Sequence, residues 1–234
     1  MTVTIWEDLE DITPANPTDS PYENAQIVQL DNGNILITYE TTNPAGSGAP
    51  DGYDILGQIF DPFGNAVGGE FRLNTNFNGD NEQDYVLATD TDGGFSIAYA
   101  DISDTNDSYD LAFQHFNANG AADYSVKFAT YGIGQTNAQT FGRDPQVSNG
   151  PEDNLLVTWV EYTPNFPGST EGTAIIKGRM IDSTTQSMGV TFDISGSYGY
   201  GENSTEGVPS HTVITRADGT HVVALVNGNS SGFI

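Results

Sequence analysis

The sequence contains no cysteine, which excludes disulfide bonds, thiolate metal sites and cysteine nucleophiles. Basic residues are also scarce: six lysines and arginines stand against 32 acidic residues, and the formal net charge of the 234-residue chain is −26 at pH 7. A surface of this charge repels nucleic-acid phosphates and anionic lipid headgroups, so neither is an expected partner. The negative surface attracts cations instead, so calcium is a candidate bound ion.

Long apolar runs are missing as well. No stretch approaches the ~18 apolar residues of a membrane-spanning helix, so we expect no membrane insertion. Residues 1–8 lack both the basic and the apolar region of a Sec-type signal peptide. Apolar residues nevertheless make up 36% of the chain and aromatic residues 11%, which indicates a packed core rather than disorder.

The sequence contains an internal repeat. Three strand-like segments end in an aromatic residue, at Tyr39, Tyr99 and Trp159, and these residues are spaced 60 apart. A fourth segment of the same kind covers residues 222–225. Apolar residues alternate along each segment and many are β-branched or aromatic, as expected for buried β-strands. A fixed period of this length predicts a repeat architecture.

Each repeat contains four predicted strands. The aromatic strand follows a shorter strand and a turn such as Asp31-Asn32-Gly33, and two further strands come after it, as at residues 58–61 and 70–73. We expect one repeat domain over residues 1–234, with units at about 22–81, 82–143, 144–207 and 208–234. The last unit is incomplete, and residues 1–21 are a candidate for completing it.

The repeat predicts an all-β fold of stacked four-stranded antiparallel sheets. A β-propeller, small or partial and with about four blades, satisfies this pattern because radial stacking lets each sheet cover its neighbours. A β-sandwich is the rival, but it does not require the constant 60-residue spacing. No helical periodicity is present, so we expect little or no helix.

Residues 54–74 carry a motif with the order Gln-x-Phe-Asp, a glycine, and Glu-Phe-x-Leu-Asn. Together with the Asp-Gly turns and the aromatic-ended strands, it resembles a four-stranded repeat that accompanies large secreted bacterial proteins of the RTX type. The resemblance implies a secreted or cell-surface protein, exported without a Sec-type signal into a calcium-rich exterior. The glycine-rich calcium-binding nonapeptides of RTX proteins are absent here. Members of the group have no single known activity.

Acidic residues follow the aromatic strand in three units, at Glu40, Asp101 and Glu161. Propeller glycosidases use carboxylates from different blades as acid, base or nucleophile, so these three are candidate catalytic residues. A repeated acid also suits turn geometry or solubility, because catalytic roles require different residues in different blades.

Two acidic loops are candidate cation sites, since closely spaced carboxylates are the ligands that calcium prefers. The first belongs to an Asp-Thr-Asp-Gly-Gly turn, which a plain hairpin explains equally well. The second follows the aromatic strand and fits a solvated loop. The candidate metal ligands are Asp90, Asp92, Asp101, Asp104, Asp107 and Asp110.

Aromatic residues in loops rich in glycine, asparagine and proline are candidate ligand-binding residues. An exposed ring offers apolar area to a glycan or a protein, and neighbouring amides give direction. The alternative is that the rings pack over the ends of the sheets. The candidates are Tyr131, Tyr162, Phe166, Tyr198 and Tyr200.

These features favour a non-enzymatic extracellular repeat or scaffold module, adhesive or ligand-binding, that recognises a protein or glycan through its loops and could self-associate. The first alternative is a carbohydrate-active enzyme, a glycosidase or lyase, with acids near the propeller axis. The second is a calcium-stabilised structural protein of a surface layer or fibre. No cofactor other than calcium is suggested.

Overall fold

The computed structural model describes most of the repeat region and contains sixteen β-strands and no helix within that part of the chain. The described residues are 22–42, 52–75, 81–90, 93–103, 108–129, 140–150, 154–166, 169–182, 185, 187–201 and 209–226.

The strands form four sheets, and neighbouring strands within each sheet are antiparallel. The first sheet consists of β1 (Tyr22–Gln29), β2 (Ile35–Thr42), β3 (Tyr53–Phe60) and β4 (Ala66–Arg72). The second consists of β5 (Asn81–Thr89), β6 (Phe95–Ser103), β7 (Ser108–Phe116) and β8 (Ala122–Ala129). The third consists of β9 (Phe141–Asn149), β10 (Asn154–Pro164), β11 (Gly172–Asp182), β12 (Ser187–Met188), β13 (Phe192–Asp193) and β14 (Tyr198–Tyr200). The fourth consists of β15 (Ser210–Thr215) and β16 (His221–Val226).

The outer edge of the third sheet differs from the other two. The repeat pattern predicts one continuous edge strand over residues 190–194, as at residues 70–73 of the first unit, but three short strands, β12, β13 and β14, pair with β11 instead. The reason is visible at Gly178, where a Cβ would lie 2.8 Å from Ile194 Cδ1 and 3.0 Å from Phe192 Cζ. Because glycine lets these side chains lie over β11, the edge is covered by packing rather than by a regular ladder.

Successive sheets stack face to face. Leu36 and Ile55 of the first sheet share a core with Phe95 of the second, and Ala98 on the opposite face of the second sheet packs with Trp159 of the third. The second and third sheets are therefore covered on both faces by different neighbours. A β-sandwich has only one buried interface, so the sequence-based prediction of a β-propeller with about four blades is confirmed and the rival is excluded.

The first strand of each blade lies innermost. Residues from β1, β5 and β9 together line two pockets, one at each end of these strands. In the described residues the outward face of the first sheet is not covered by another sheet. Ile27 on its inner strand is 64% exposed, whereas Val147 and Val213, at the corresponding positions of the third and fourth sheets, are 7% exposed. Completion of the last blade by residues 1–21 lies outside the described part of the chain.

Among the described residues no helix has the length and apolar character needed to cross a membrane.

Candidate functional site

The three inner strands share an unusual backbone feature near their first residues. Asn24, Asp84 and Asp144 have positive φ angles of 51°, 53° and 51°, and they are spaced 60 residues apart. The ladders with the adjacent strands shift register at the same places, as in a β-bulge. Asparagine and aspartate tolerate this left-handed conformation better than other non-glycine residues, and a bulge redirects its side chain. The repeat thus places one polar side chain per blade at the same end of the axis.

These residues meet at an open pocket of about 350 Å³, which we name the axial mouth. Three consecutive residues from each inner strand form it. The lining residues are Asn24, Ala25, Gln26, Asp84, Tyr85, Val86, Asp144, Pro145 and Gln146.

On the first-blade side, the buried carboxylate of Glu40 lies behind the axial mouth. Asn24 Nδ2 donates a hydrogen bond of 2.7 Å to Glu40 Oε2, and Glu40 is only 2% exposed. Burial raises the pKa of Glu40, and the nearby charge of Asp84 raises it further. Hydrogen bonds from Asn24 and from the backbone N–H groups of Asp84 and Tyr85 oppose that rise. Glu40 therefore couples the first two blades at the mouth.

Asp144 stands on the third-blade side. Reduced hydration raises its pKa, and the negative charge of Asp84 adds to this effect. The Arg143 guanidinium and the nearby Tyr162 hydroxyl act in the opposite direction. The charge of Asp84 therefore acts on the Asp144 carboxyl across the mouth.

Behind Asp144 lies a group of packed rings, the aromatic stack, formed by Phe141, Tyr162 and Tyr200. The rings of Phe141 and Tyr162 are parallel, with centroids 5.0 Å apart and 9° between planes. Tyr200 meets Tyr162 edge to face at 5.3 Å, and Arg143 Cζ lies 6.0 Å from the Phe141 centroid. Such geometries are favourable for aromatic pairs. Tyr162 is 8% exposed, so its ring is core and not a free platform.

The other candidate ligand-binding residues are placed differently. Tyr200 belongs to the aromatic stack, and Tyr198 is half-buried on the same short strand. Phe166 is 62% exposed after the end of β10, as a ligand-contacting ring would be. Tyr131 lies outside the described residues.

The three candidate catalytic acids are not brought to one place. Asp101 and Glu161 occupy the repeat position of Thr41, whereas Glu40 comes one residue earlier and hence points to the other face of its strand. Glu161 Oε1 lies 3.4 Å from Lys177 Nζ of β11, away from the inner strand. Asp101 is buried within β6. Of the three, Glu40 alone reaches the axial mouth, through its bond to Asn24.

The candidate metal ligands form no cation site in the described residues. Asp90 lies at the β5–β6 turn, where its carboxylate contacts the His115 ring, and Asp123 contacts the other ring nitrogen. Asp101 and Asp110 are directly opposite each other on β6 and β7. Throughout the described part of the chain, no three histidine, aspartate or glutamate side chains are grouped to hold a metal ion. Asp92, Asp104 and Asp107 lie outside it.

The opposite end of the inner strands offers a useful contrast. A pocket of about 440 Å³ there is lined by apolar, hydroxyl and amide side chains, with no ionisable group among them. Its lining residues are Val28, Gln29, Leu87, Ala88, Thr89, Val147, Ser148 and Asn149. Acid–base chemistry is therefore available at the axial mouth and not at this second pocket.

The sequence interpretation missed Asp84 and Asp144, although a signal for them was present. Each precedes the predicted inner strand of its unit, and with Asn24 they repeat at the same 60-residue spacing as the aromatic residues. An asparagine or aspartate at a fixed repeat position is a marker for positive φ, and it identifies the bulge.

No protein-family profile matches the sequence, and no curated protein sequence is similar to it. The fold is similar to that of solved enzymes. An α-L-arabinanase from Penicillium chrysogenum, complexed with arabinobiose, has a TM-score of 0.59 at 16% identity over 91% of this chain and 62% of its own. The α-L-arabinofuranosidase Arb93A of Fusarium graminearum, with an iminosugar inhibitor, has a TM-score of 0.54 at 13% identity over 82% of this chain and 55% of its own.

The complex of the family GH93 α-L-arabinofuranosidase of Fusarium graminearum with arabinobiose gives a TM-score of 0.53 at 12% identity, over 83% of this chain and 55% of that one. This chain thus spans somewhat more than half the length of these structures, which are five-bladed β-propellers. At such identities the likeness establishes the fold.

The expectation of a non-enzymatic adhesive module, and of a protein that is not an enzyme, is wrong by these comparisons, in which the solved structures of this fold are carbohydrate-cleaving enzymes. The error had a physical origin. The candidate acids named from the sequence follow the aromatic strand, whereas the acidic residues that line the axial mouth, Asp84 and Asp144, come from the inner-strand bulge. The chain has the β-propeller fold of these glycosidases.

Proposed function

We propose that the axial mouth binds a glycan and cleaves its glycosidic bond, with Asp84 and Asp144 as the reacting carboxyl pair. The observation that carries this proposal is the position of the two aspartates. They come from equivalent bulges of neighbouring blades and line the same open pocket, where the charge of Asp84 raises the pKa of Asp144. Glycoside hydrolysis uses such a pair on either side of the scissile bond. The likeness to glycosidases supports the same reading.

The environments of the two aspartates suggest different roles. A general acid must hold a proton near neutral pH, and reduced hydration together with the charge of Asp84 raises the pKa of Asp144. Asp144 is then the group that protonates the leaving oxygen, and Asp84 is the base that activates water or the nucleophile that attacks the sugar. The product anomer, read by NMR, distinguishes inversion from retention and so the two roles of Asp84.

The lining of the mouth favours a neutral sugar. Carboxylates of Asp84 and Asp144 and amides of Asn24, Gln26 and Gln146 supply its polar groups, and neither lysine nor arginine is among its lining residues. With the net charge of −26, such a pocket repels a polyuronate. Arabinofuranosyl polymers are uncharged, and they are the substrate class that the similar enzymes suggest. A location outside the cell stays a prediction and is compatible with a polymeric substrate.

Hydrolysis of linear arabinan and of a chromogenic α-L-arabinofuranoside tests the proposal. We expect release of reducing sugar by the unaltered protein and a loss of roughly 10²–10⁴-fold in Asp84→Asn and Asp144→Asn, as is typical when an acid or base is removed. Asp31→Asn is the matched control, because Asp31 is an exposed aspartate beyond the far end of β1. Full activity in both mouth variants would contradict the proposal, as would a lack of hydrolysis by the unaltered protein on every neutral glycan tested.

A further inference from the structure

We propose that Glu40 is a positioning residue that determines which ligand groups the axial mouth accepts. Its carboxylate holds the Asn24 amide so that the Asn24 oxygen, and not the NH₂ group, meets the ligand and accepts a hydrogen bond from a sugar hydroxyl. The contact between Glu40 and Asn24 belongs to the structure, and only its consequence for a bound sugar rests on the proposed function.

The orientation of the Asn24 amide follows from the chemistry of its partner. Asn24 Nδ2 donates a hydrogen bond of 2.7 Å to Glu40 Oε2. An ionised carboxylate only accepts hydrogen bonds, and Oε2 still accepts one when a proton resides on Oε1. The amide nitrogen must therefore face Glu40. Because the oxygen and the nitrogen of a planar amide diverge from one carbon, Oδ1 is directed away from Glu40 and is available to a ligand in the mouth, which Asn24 lines.

Both members of this contact are held in place. The Glu40 side chain is buried, so it has little freedom to turn toward water. The backbone carbonyl of Asn24 accepts a hydrogen bond of 2.7 Å from the hydroxyl of Tyr85, a buried residue of the second blade. Asn24 is thus anchored through its backbone and its side chain, and little rotamer freedom is left to lose when its oxygen meets a ligand.

The repeat shows that the asparagine and the glutamate belong together. Of the three inner-strand bulges with positive φ, the first has an amide at the bulge and the other two have a carboxyl group. Only the first has a carboxylate behind it, because the position of Glu40 is occupied by fully buried apolar residues in the next two blades. A second carboxylate at the first bulge would repel Glu40, whereas an amide can donate to it. The pairs at the two repeat positions are Asn24 with Glu40, Asp84 with Ala100, and Asp144 with Val160.

Gln26 presents an acceptor in the same way. Its Nε2 atom donates a hydrogen bond of 2.7 Å to the backbone carbonyl of Tyr85, and a carbonyl oxygen only accepts. The Gln26 oxygen is therefore directed away from that carbonyl. Together with the carboxylate of Asp84, the amide oxygens of Gln26 and Asn24 make this side of the mouth rich in acceptors. A ligand bound there has to supply hydrogen-bond donors, as the hydroxyl groups of a neutral sugar do.

The test compares Glu40→Gln with Glu23→Gln. Both variants remove one carboxyl group, but only the first changes the partner of the Asn24 amide. The substituted amide can donate as well as accept, so it allows the Asn24 amide to turn over. Glu23 is exposed and lies directly opposite Glu40 on β1, which makes it a control matched in charge and place. The NH₂ signals of Asn24 are followed by NMR in the ¹⁵N-labelled full chain without ligand.

Ligand recognition is measured with arabinobiose and with analogues in which fluorine replaces one hydroxyl group. Fluorine keeps the size of the group but donates no hydrogen bond. The Asp144→Asn background prevents cleavage during the titration. In this background we expect at least one analogue to bind roughly threefold to tenfold more weakly than arabinobiose. The difference should largely disappear when Glu40→Gln is added and persist when Glu23→Gln is added, as in a double-mutant cycle.

Without ligand, Glu40→Gln should move the Asn24 NH₂ signals and accelerate their hydrogen exchange, whereas Glu23→Gln should leave them nearly unchanged. Equal Asn24 signals in the two variants, or a fluorine effect that Glu40→Gln does not reduce, would overturn the inference. Asn24→Gly tolerates the positive φ and removes the oxygen itself, so it should abolish the same fluorine effect even if Glu40→Gln fails to fold. A protein that binds no arabino-oligosaccharide would refute the proposed function, while the NH₂ signals, which need no glycan, still decide the orientation of Asn24.

Discussion

The Nε2 atom of His211 lies 2.8 Å from the Oγ1 atom of Thr158, across the interface between the third and fourth blades. The first interface has a corresponding contact, in which the Tyr85 hydroxyl lies 2.8 Å from Thr38 Oγ1. In both cases a side chain at the same position of the inner strand reaches back to a threonine on the second strand of the preceding blade. This contact joins consecutive blades next to the axial mouth.

The second interface replaces this pair with two apolar residues. The threonine position holds Ala98 and the inner-strand position holds Pro145, 60 residues after Thr38 and Tyr85. Both are buried, and neither side chain has a polar atom that needs a partner. The two positions therefore vary together along the repeat. A threonine faces an inner-strand residue with a polar group, whereas Ala98 faces Pro145, as expected when each blade packs against the next.

His211 makes the stability of the interface between the third and fourth blades depend on pH. Burial lowers its pKa to about 4, whereas an unfolded histidine titrates near 6.5. Because the unfolded state binds the proton more readily, the free energy of unfolding should fall as pH decreases from about 6.5 to about 4, by on the order of 2 kcal/mol.

Denaturant unfolding of the unaltered protein and of His211→Gln at pH 7.5 and pH 4.5 measures this effect. The variant should lose less stability over that interval, since its amide has no proton to gain. Equal losses in the two proteins would show that His211 does not carry the effect.

His115 should act in the opposite direction. Burial lowers its pKa, but the contacts with Asp90 and Asp123 outweigh burial and raise the pKa to about 9. The stability contributed by the charged ring is therefore complete below about pH 6.5 and lost as pH rises through about 9.

The stability difference between the unaltered protein and His115→Gln should be large at pH 6 and small at pH 10. His221→Gln is a suitable control, because burial lowers the pKa of His221 and the sign is reversed. A difference for His115→Gln that is constant over this range would refute the prediction.

Gly120 tests how tightly the first two blades are packed. A Cβ at Gly120 would lie 2.9 Å from Phe71 Cζ, and Gly120 has a φ of +77°. The Phe71 ring contacts Phe95 and Phe116 at centroid distances of 6.4 and 6.1 Å, so it has little room to retreat. Gly68 has a similar φ of +81°, but a Cβ at that position would meet nothing within 4 Å.

We expect Gly68→Ala to cost about 1 kcal/mol for the backbone conformation alone, and Gly120→Ala to cost about 2–4 kcal/mol because overpacking is added. Thermal and urea unfolding of the two variants measure the difference. Equal costs would mean that the Phe71 contact is not tightly packed.

Substitutions of Asn24 distinguish the effect of its hydrogen bond from the effect of added charge at the axial mouth. Asn24→Asp keeps a residue that tolerates positive φ, but it replaces the donor to Glu40 with a carboxylate beside Glu40 and Asp84. We expect a loss of about 1–3 kcal/mol at pH 7.5, much of it recovered at pH 3.5 where the carboxyls are protonated.

Asn24→Gly is the matched control, since glycine also adopts positive φ and removes the hydrogen bond without adding charge. Its cost should depend less on pH. If Asn24→Asp and Asn24→Gly lose the same stability at both pH values, the electrostatic coupling at the mouth is weaker than described.

The strands were predictable from sequence because their signal is local. Alternating apolar residues and the constant spacing of Tyr39, Tyr99 and Trp159 are properties of single segments, and they led to the β-propeller. The broken outer edge of the third blade was missed, because it depends on Phe192 and Ile194 lying over Gly178, a contact made only after folding.

The site was less predictable for the same reason. Asp84 and Asp144 are 60 residues apart, and no local pattern says that the two inner strands bring them to one pocket. Tyr162 was identified as a candidate, but as a sugar platform. Its ring stacks on Phe141 and is buried, so it packs in the third blade instead.

The most direct test of the central claim is to locate a bound sugar. Arabinobiose is titrated into ¹⁵N-labelled Asp144→Asn protein, and backbone amide shifts are followed at both ends of the inner strands. Binding at the axial mouth predicts saturable shifts at residues 24–26, 84–86 and 146, with none at 28–29, 87–89 and 147–149. Shifts confined to the second set, or a lack of shifts at millimolar sugar with every neutral arabino-oligosaccharide, would contradict the account.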